Sequence, residues 1–175
     1  MSVSSTDSTE IRIAGIARDS IVDGEGIRLT VFTQGCPRRC PGCHNPDTHA
    51  FEENKLIGVD ELFKSIMKPR LGKGVTFSGG EPFCQAAPFA KLGEKLKATG
   101  IDILIFTGYE YEELIKMAKY NESIMRLIKT ADYIVDGKYK EELRDLSLKF
   151  RGSSNQRIID VKKTLEACQV VEAEF

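Results

Sequence analysis

The chain has 175 residues, 41% hydrophobic and 29% charged, a composition that supports one globular domain with a buried core. Its 25 Lys and Arg against 26 Asp and Glu leave a net charge of -1, so there is no general electrostatic case for binding nucleic acid. No apolar run reaches the roughly 18 residues that a membrane-crossing helix needs.

Residues 1–10 are rich in Ser, Thr and acids and have no apolar centre. They read as a disordered polar tail and not as a secretory signal, which leaves residues 11–175 as the single domain and the cytoplasm as the expected location, with thiols reduced. Residues 26–34 alternate apolar and polar in a β-branched run and are expected to form a strand. A helix over 60–67 follows, with Leu62, Phe63, Ile66 and Met67 at helical spacing and Asp60 as its N-cap. Residues 74–77 read as a short strand, and 86–99 as a helix closed by Gly100. The nearly continuous apolar run 101–107 is the mark of a strand buried on both faces. Helices over 111–120 and 123–130, a strand over 131–135, a late strand over 157–161 and a terminal helix over 162–168 complete the pattern. Strands separated by helices imply βαβ units with right-handed crossovers. A complete eight-fold barrel needs about 250 residues, so the expected fold is α/β, a partial, open barrel.

The first expected strand runs into Cys36-Pro37-Arg38-Arg39-Cys40-Pro41-Gly42-Cys43, a C-x3-C-x2-C loop. Structural zinc sites are closed by four protein ligands, whereas a cubane cluster on three thiolates keeps one iron open for chemistry, so the spacing suggests a reactive iron-sulfur cluster. Zinc completed by His44 or His49, the only two histidines, is the alternative; a local disulfide is a weaker one. Arg38 and Arg39 are either ordinary surface charge or groups that tune a cluster or dock a partner. Catalytic groups of barrels gather at the C-terminal ends of strands. There the sequence places Ser78-Gly79-Gly80-Glu81-Pro82, Asp136-Gly137-Lys138 and, before the last strand, Arg151-Gly152-Ser153-Ser154-Asn155-Gln156. Paired glycines allow close backbone approach to a ligand, although a plain tight turn would also use them. Cys84 reads as a small buried hydrophobe and Cys168 has no assigned role. Asp23, Glu25 and Arg28 fit either a partner-facing loop or a solvated hairpin turn, and Arg151, Ser153, Ser154 and Asn155 either a cofactor or partner contact or the cap of an entry turn.

The cysteine triplet followed within one βα unit by Gly79-Gly80-Glu81-Pro82 resembles the radical S-adenosylmethionine superfamily. Val22-Asp23-Gly24-Glu25-Gly26-Ile27-Arg28 before it and His44-Asn45-Pro46-Asp47-Thr48 after it resemble the activating enzymes of glycyl radical proteins. The short chain, with Val135-Asp136-Gly137-Lys138-Tyr139 and the segment from Arg151 to Gln156, is similar to the branch that activates anaerobic ribonucleoside-triphosphate reductase. The resemblance runs from about Ile13 to Val161. It departs from the wider superfamily at Gly42, where many members carry an aromatic residue before the third cysteine.

The resemblance implies a radical S-adenosylmethionine partial barrel in which Cys36, Cys40 and Cys43 hold three irons of one 4Fe-4S cluster, the fourth being chelated by the amino and carboxylate groups of S-adenosylmethionine. Gly79, Gly80 and Glu81, with Ser78 beside them, would line the methionine amino group; Asp136 and Lys138 would contact the methionyl or ribose part; His44 and the backbone of Gly42 and Cys43 would meet the adenine. One electron from the reduced cluster would cleave the sulfonium to methionine and a 5'-deoxyadenosyl radical, which takes a Cα hydrogen from a glycine of the reductase large subunit. No side chain is expected to act as acid or base. The implied partners are that large subunit and an electron donor such as a flavodoxin-like protein, with no nucleic acid and no membrane. Three alternatives stay open: an activase of pyruvate formate-lyase or another glycyl radical enzyme, a small-molecule enzyme like the 7-carboxy-7-deazaguanine synthases, against which His44-Asn45 and the segment from Arg151 to Gln156 argue, and a non-catalytic iron-sulfur or zinc protein.

Overall fold

The computed structural model describes residues 9–52 and 54–174; residues 1–8 of the expected tail lie outside the described residues, and the first strand opens at the tail's last residue, Glu10. The strands are β1 (Glu10–Ser20), β2 (Arg28–Thr33), β3 (Lys55–Gly58), β4 (Gly74–Gly79), β5 (Ile103–Phe106), β6 (Tyr133–Asp136) and β7 (Arg157–Asp160). The helices are α1 (Val59–Ile66), α2 (Ala86–Lys97), α3 (Tyr111–Ala118), α4 (Glu122–Thr130) and α5 (Val161–Ala167). All strands join one sheet in the order β3-β1-β2-β4-β5-β6-β7, with β2, β4, β5 and β6 parallel and β1, β3 and β7 added antiparallel at the flanks. The two ends do not meet. This is the open, partial α/β barrel that strand–helix alternation and chain length imply.

Side-chain alternation divides the sheet into two faces. Leu29, Val31, Val75, Phe77, Ile103 and Ile105 are fully buried toward the helices, where Leu62, Phe89, Leu92, Leu114 and Leu127 meet them. Each such side chain contributes about 1.5–3 kcal/mol by leaving water, so this layer fixes the strands' C-terminal ends. The opposite face has no helical layer. There Leu104, Val135 and Ile158 pack with Phe106 and Phe150 beside a cavity of about 240 Å³ whose wall also includes Gly24, Arg28 and Asp102. The loop before β2 crosses this face: Thr30 Oγ1 donates to the Asp23 carboxylate at 3.0 Å, Thr76 Oγ1 to the Asp23 carbonyl at 2.7 Å, and Arg28 to both Thr76 Oγ1 and Asp102. Arg28 is 4% exposed, so it is a structural strut and not a solvated hairpin charge.

Several expectations need correction. β1 and β3 lie outside the expected elements. β1 carries the alternation Ile11-Arg12-Ile13, but its pairing with β2 shifts register between Ile13 and Gly15, which breaks the period-2 signal. β2 starts at Arg28 and not at Gly26, whose φ of +75° suits the preceding loop. The N-cap of α1 is Gly58; Asp60 sits inside the first turn and pairs with Lys95 at 3.1 Å. Only a single 3-10 turn, Glu141–Leu143, and no α-helix joins β6 to β7, so β7 returns antiparallel instead of completing a βαβ unit. Gly100, with φ +80°, ends α2 as expected. Among the described residues, no helix is long and apolar enough to cross a membrane.

Candidate active site

β2 delivers the chain into the cysteine loop, whose two feet are tied together. The Gly35 N–H donates to Thr48 O at 2.8 Å and the Cys36 N–H to His49 O at 3.1 Å. Gln34, 3% exposed, donates to the carbonyls of Ala50 at 2.7 Å and Asp47 at 3.3 Å. Gly35 takes φ +100° with the Phe51 ring against it, where a Cβ would fall 2.6 Å from Cδ1. The loop is thus closed at its base and free to fold its interior around the sulfurs.

The Asn45 N–H donates to the Cys43 sulfur at 3.4 Å, while the backbone N–H groups of Arg38 and Arg39 face the Cys36 thiol and that of Tyr139 faces Cys40. Burial pushes the Cys36 and Cys40 thiols up, partly offset by these donors and, at Cys40, by the Lys138 ammonium. All five cysteines are free thiols. Among the described residues, no three His, Cys, Asp or Glu side chains converge closely enough to hold one metal ion. His44 packs on Tyr139 with ring centroids 5.2 Å apart, and the buried His49 Nε2 has no hydrogen-bond partner. Three soft donors with N–H groups aimed at their sulfurs fit a polynuclear cluster, in which each thiolate meets its own iron and the hydrogen bonds offset negative charge.

The turn after β4 lies against this loop. Gly80 N–H donates to Thr33 O at 2.9 Å and Glu81 N–H to Gly35 O at 2.9 Å. A Cβ on Gly79 would stand 2.7 Å from Thr33 N, and one on Gly80 2.5 Å from Gly35 O, so only glycine fits this seam. Ser78 is 8% exposed beside it. Glu81 is fully buried: Oε2 accepts from Gly108 N–H at 2.8 Å, and Oε1 from Thr107 Oγ1 at 2.9 Å and Phe83 N–H at 3.2 Å. Burial pushes its carboxyl up to about 7 despite those donors and the nearby Arg38. Its carbonyl already accepts the Cys84 N–H at 3.0 Å. Arg38 lies 4.1 Å above the Tyr109 ring and donates to Glu113 at 2.8 Å, tying the cysteine loop to the loop after β5.

The remaining expected residues sit on the β6–β7 connection. Asp136 is 1% exposed and its carboxylate is committed: it accepts from the Tyr111 N–H at 2.8 Å, where α3 begins, and from Arg157 Nε at 3.0 Å. Lys138 is exposed, its ammonium faces Cys40, and its carbonyl accepts from Asn155 Nδ2 at 2.8 Å. Gln156 knots the segment by accepting from the N–H groups of Gly152 and Ser153 and donating to Gly137 O. Asn155 Oδ1 and Arg151 Nε are buried without partners. Cys84 is exposed, contrary to the packing role expected of it, and its thiol bonds the Tyr109 hydroxyl. Thr107, Gly108 and Tyr109 escaped sequence reasoning because their part is played through a strand end that looks only apolar.

Comparison with known proteins agrees with this geometry. Residues 22–159 match the family model of the 4Fe-4S single cluster domain. The anaerobic ribonucleoside-triphosphate reductase-activating protein of Escherichia coli K12 is 35% identical over 144 residues, covering 78% of this chain and 90% of that one. Its counterpart in Haemophilus influenzae is 31% identical over 147 residues, 79% and 90% of the two chains. The pyruvate formate-lyase-activating enzyme of Clostridium pasteurianum is 40% identical over 127 residues, 69% of this chain and 53% of that longer one. Set beside three thiols in one loop and a glycine seam against them, these matches show that the chain belongs to the family of anaerobic ribonucleoside-triphosphate reductase-activating proteins, with a 4Fe-4S single cluster domain as its body.

Proposed function

We propose that the chain is a radical S-adenosylmethionine enzyme that installs a glycyl radical on the large subunit of an anaerobic ribonucleoside-triphosphate reductase. The observation that carries this reading is the seam itself: the loop bearing Cys36, Cys40 and Cys43 is hydrogen-bonded at its base to Gly80 and Glu81, so three thiols and a glycine-lined backbone share one rim. Cys36, Cys40 and Cys43 would hold the 4Fe-4S cluster. Gly79, Gly80 and Ser78 would line the methionyl end of S-adenosylmethionine, and Gly42, Cys43 and His44 the adenosyl end. When bound, cluster and cofactor together supply reductive cleavage of the sulfonium and hydrogen abstraction from a glycine Cα.

The chain's own residues orient and shield. N–H groups from Arg38, Arg39, Tyr139 and Asn45 stabilise thiolate charge. Glu81 fixes the seam to the loop after β5 through Thr107 and Gly108. Asp136, with both oxygens engaged, positions Arg157 and the start of α3, while Lys138 remains open to a carboxylate or ribose. The exposed Arg39 suits docking of an acidic electron donor such as a flavodoxin-like protein, whereas Arg38 is spent on Tyr109 and Glu113. Five free thiols suit the reducing cytoplasm.

The reading is tested by anaerobic reconstitution with iron and sulfide, addition of reductant and S-adenosylmethionine, and mixing with the anaerobic reductase. Cluster absorbance, release of 5'-deoxyadenosine and a glycyl radical doublet by electron paramagnetic resonance are expected. A doublet formed only with pyruvate formate-lyase would transfer the assignment to that partner, the second reading favoured by the 40% identical Clostridium enzyme. A protein with neither cluster nor 5'-deoxyadenosine release would end both.

A further inference from the structure

The β6–β7 connection folds back over the cysteine loop and brings a built arrangement of side chains to it. The Tyr139 backbone N–H faces the Cys40 thiol, and its ring lies 5.2 Å from that of His44 at a 47° tilt. The Tyr139 hydroxyl donates to Glu141 Oε2 at 2.7 Å. That carboxylate stands against Gly42: a Cβ there would fall 1.8 Å from Glu141 Oε2 and 3.3 Å from Tyr139 Cε1. Gly152 makes room on the other side, since a Cβ on it would lie 2.9 Å from Tyr139 Cδ2 and 3.5 Å from His44 Cε1. Two glycines therefore frame an aromatic pair and one carboxylate next to Cys43, with His44 and Glu141 exposed. Glu141 Oε1 faces Arg144 Nη1 at 3.8 Å, beyond hydrogen-bond length.

We propose that Tyr139 and Glu141 join His44 in a subsite for the purine base of the sulfonium cofactor, the rings forming its apolar wall and the Glu141 carboxylate accepting from the exocyclic amino group. The inference rests on the reading above, that cluster and cofactor occupy the cysteine loop, and adds what selects the base. A planar base gains from stacking on an exposed ring. An ionised carboxylate is acceptor-only, so it favours a base bearing an amino group at that edge over one bearing a carbonyl, which would leave two acceptors facing each other. The hydroxyl of Tyr139 holds one oxygen and aims the other.

The test uses the full chain, anaerobically reconstituted, and two uncleavable probes, S-adenosylhomocysteine and S-inosylhomocysteine, titrated by calorimetry with iron content measured alongside. The wild type should prefer the adenine probe. Glu141→Gln should cut that preference about tenfold, because an amide can donate to the hypoxanthine carbonyl. Tyr139→Leu should weaken both probes several-fold and leave their ratio unchanged. An unaltered ratio in Glu141→Gln overturns the proposal, and so does a Tyr139→Leu protein that loses iron yet binds both probes normally per remaining cluster, the behaviour of a plain latch on the loop. Wild-type protein that assembles no cluster would sink the functional reading and this inference together, whereas a cluster-bearing wild type that binds both probes equally sinks this inference alone.

Discussion

Glu81 carries a carboxylate into a fully buried position, and burial raises it from its ordinary 4.5 to about 7 although three donors pull the other way. Below pH 4.5 the group is protonated both folded and unfolded and costs nothing. As pH rises from 4.5 to about 7 the unfolded chain ionises first, so the protein loses stability across that window, by about 3 kcal/mol in total, and the loss is complete above it. Urea titration of the cluster-free protein under reductant should show that slope, and Glu81→Gln should flatten it; a wild type equally stable at pH 5 and pH 8 would contradict the burial argument. The cysteines give a simpler expectation: alanine at Cys36, Cys40 or Cys43 should abolish the cluster's visible absorbance, and alanine at the exposed Cys84 or Cys168 should leave it. At this scale the sequence was legible wherever chemistry needs a particular side chain in a short spacing, as with the triplet and the Gly-Gly-Glu turn. It was silent on Gly108, whose contribution is a backbone N–H delivered from another strand, and on Arg38, whose ring and carboxylate partners lie more than 70 residues further along the chain.

Between elements, the decisive contact is the seam where the end of β4 meets the end of β2. Gly80 is held there by its N–H bond to Thr33 O, and a Cβ on it would approach Gly35 O to 2.5 Å, so Gly80→Ala must push the two loops apart. Overpacking of this kind costs about 1–3 kcal/mol. Gly15 in β1 is the matching control, because a Cβ there meets nothing within 4 Å and Gly15→Ala should be neutral or slightly stabilising. Thermal unfolding would compare the two, and reductant-dependent 5'-deoxyadenosine release should fail only in Gly80→Ala. Equal effects would mean that the seam tolerates separation and does not position the cofactor. The parallel strands and their helices were readable from periodicity, since each is a short apolar run or an amphipathic stripe with a Gly or Asn boundary. β1 was not, because its register shift removes the alternation, and β7's direction was not, because antiparallel return depends on the absence of a crossover helix and leaves no mark within the strand itself.

Across the whole molecule, one side chain adds to the β6–β7 backbone ladder a tie from the far edge of the sheet to α3. Arg157 in β7 donates to Asp136 at the end of β6 and to Glu112 in α3 at 2.8 Å, and these bonds lower the Glu112 carboxyl and raise the guanidinium. Asp136 is 1% exposed and Glu112 about half exposed, so the two halves of the network differ in weight. Water replaces the Arg157–Glu112 pair at little cost. Among the described residues no other cation pairs with Asp136, and Arg157→Ala leaves a buried charge with the Tyr111 N–H as its one remaining donor there. That loss should cost roughly 3–5 kcal/mol. Because the connection held by this edge carries Tyr139 and Lys138 to the cysteine loop, iron should also be lost faster from the reconstituted variant. Adding Asp136→Asn removes the stranded charge, so the double variant should recover part of the stability while Glu112→Gln alone costs less than about 1 kcal/mol. Urea denaturation of the three proteins separates these terms. An Arg157→Ala protein as stable as the Glu112→Gln one would show that the buried carboxylate is not what fastens β7, and that the connection reaches the cluster loop by its own knot at Gln156.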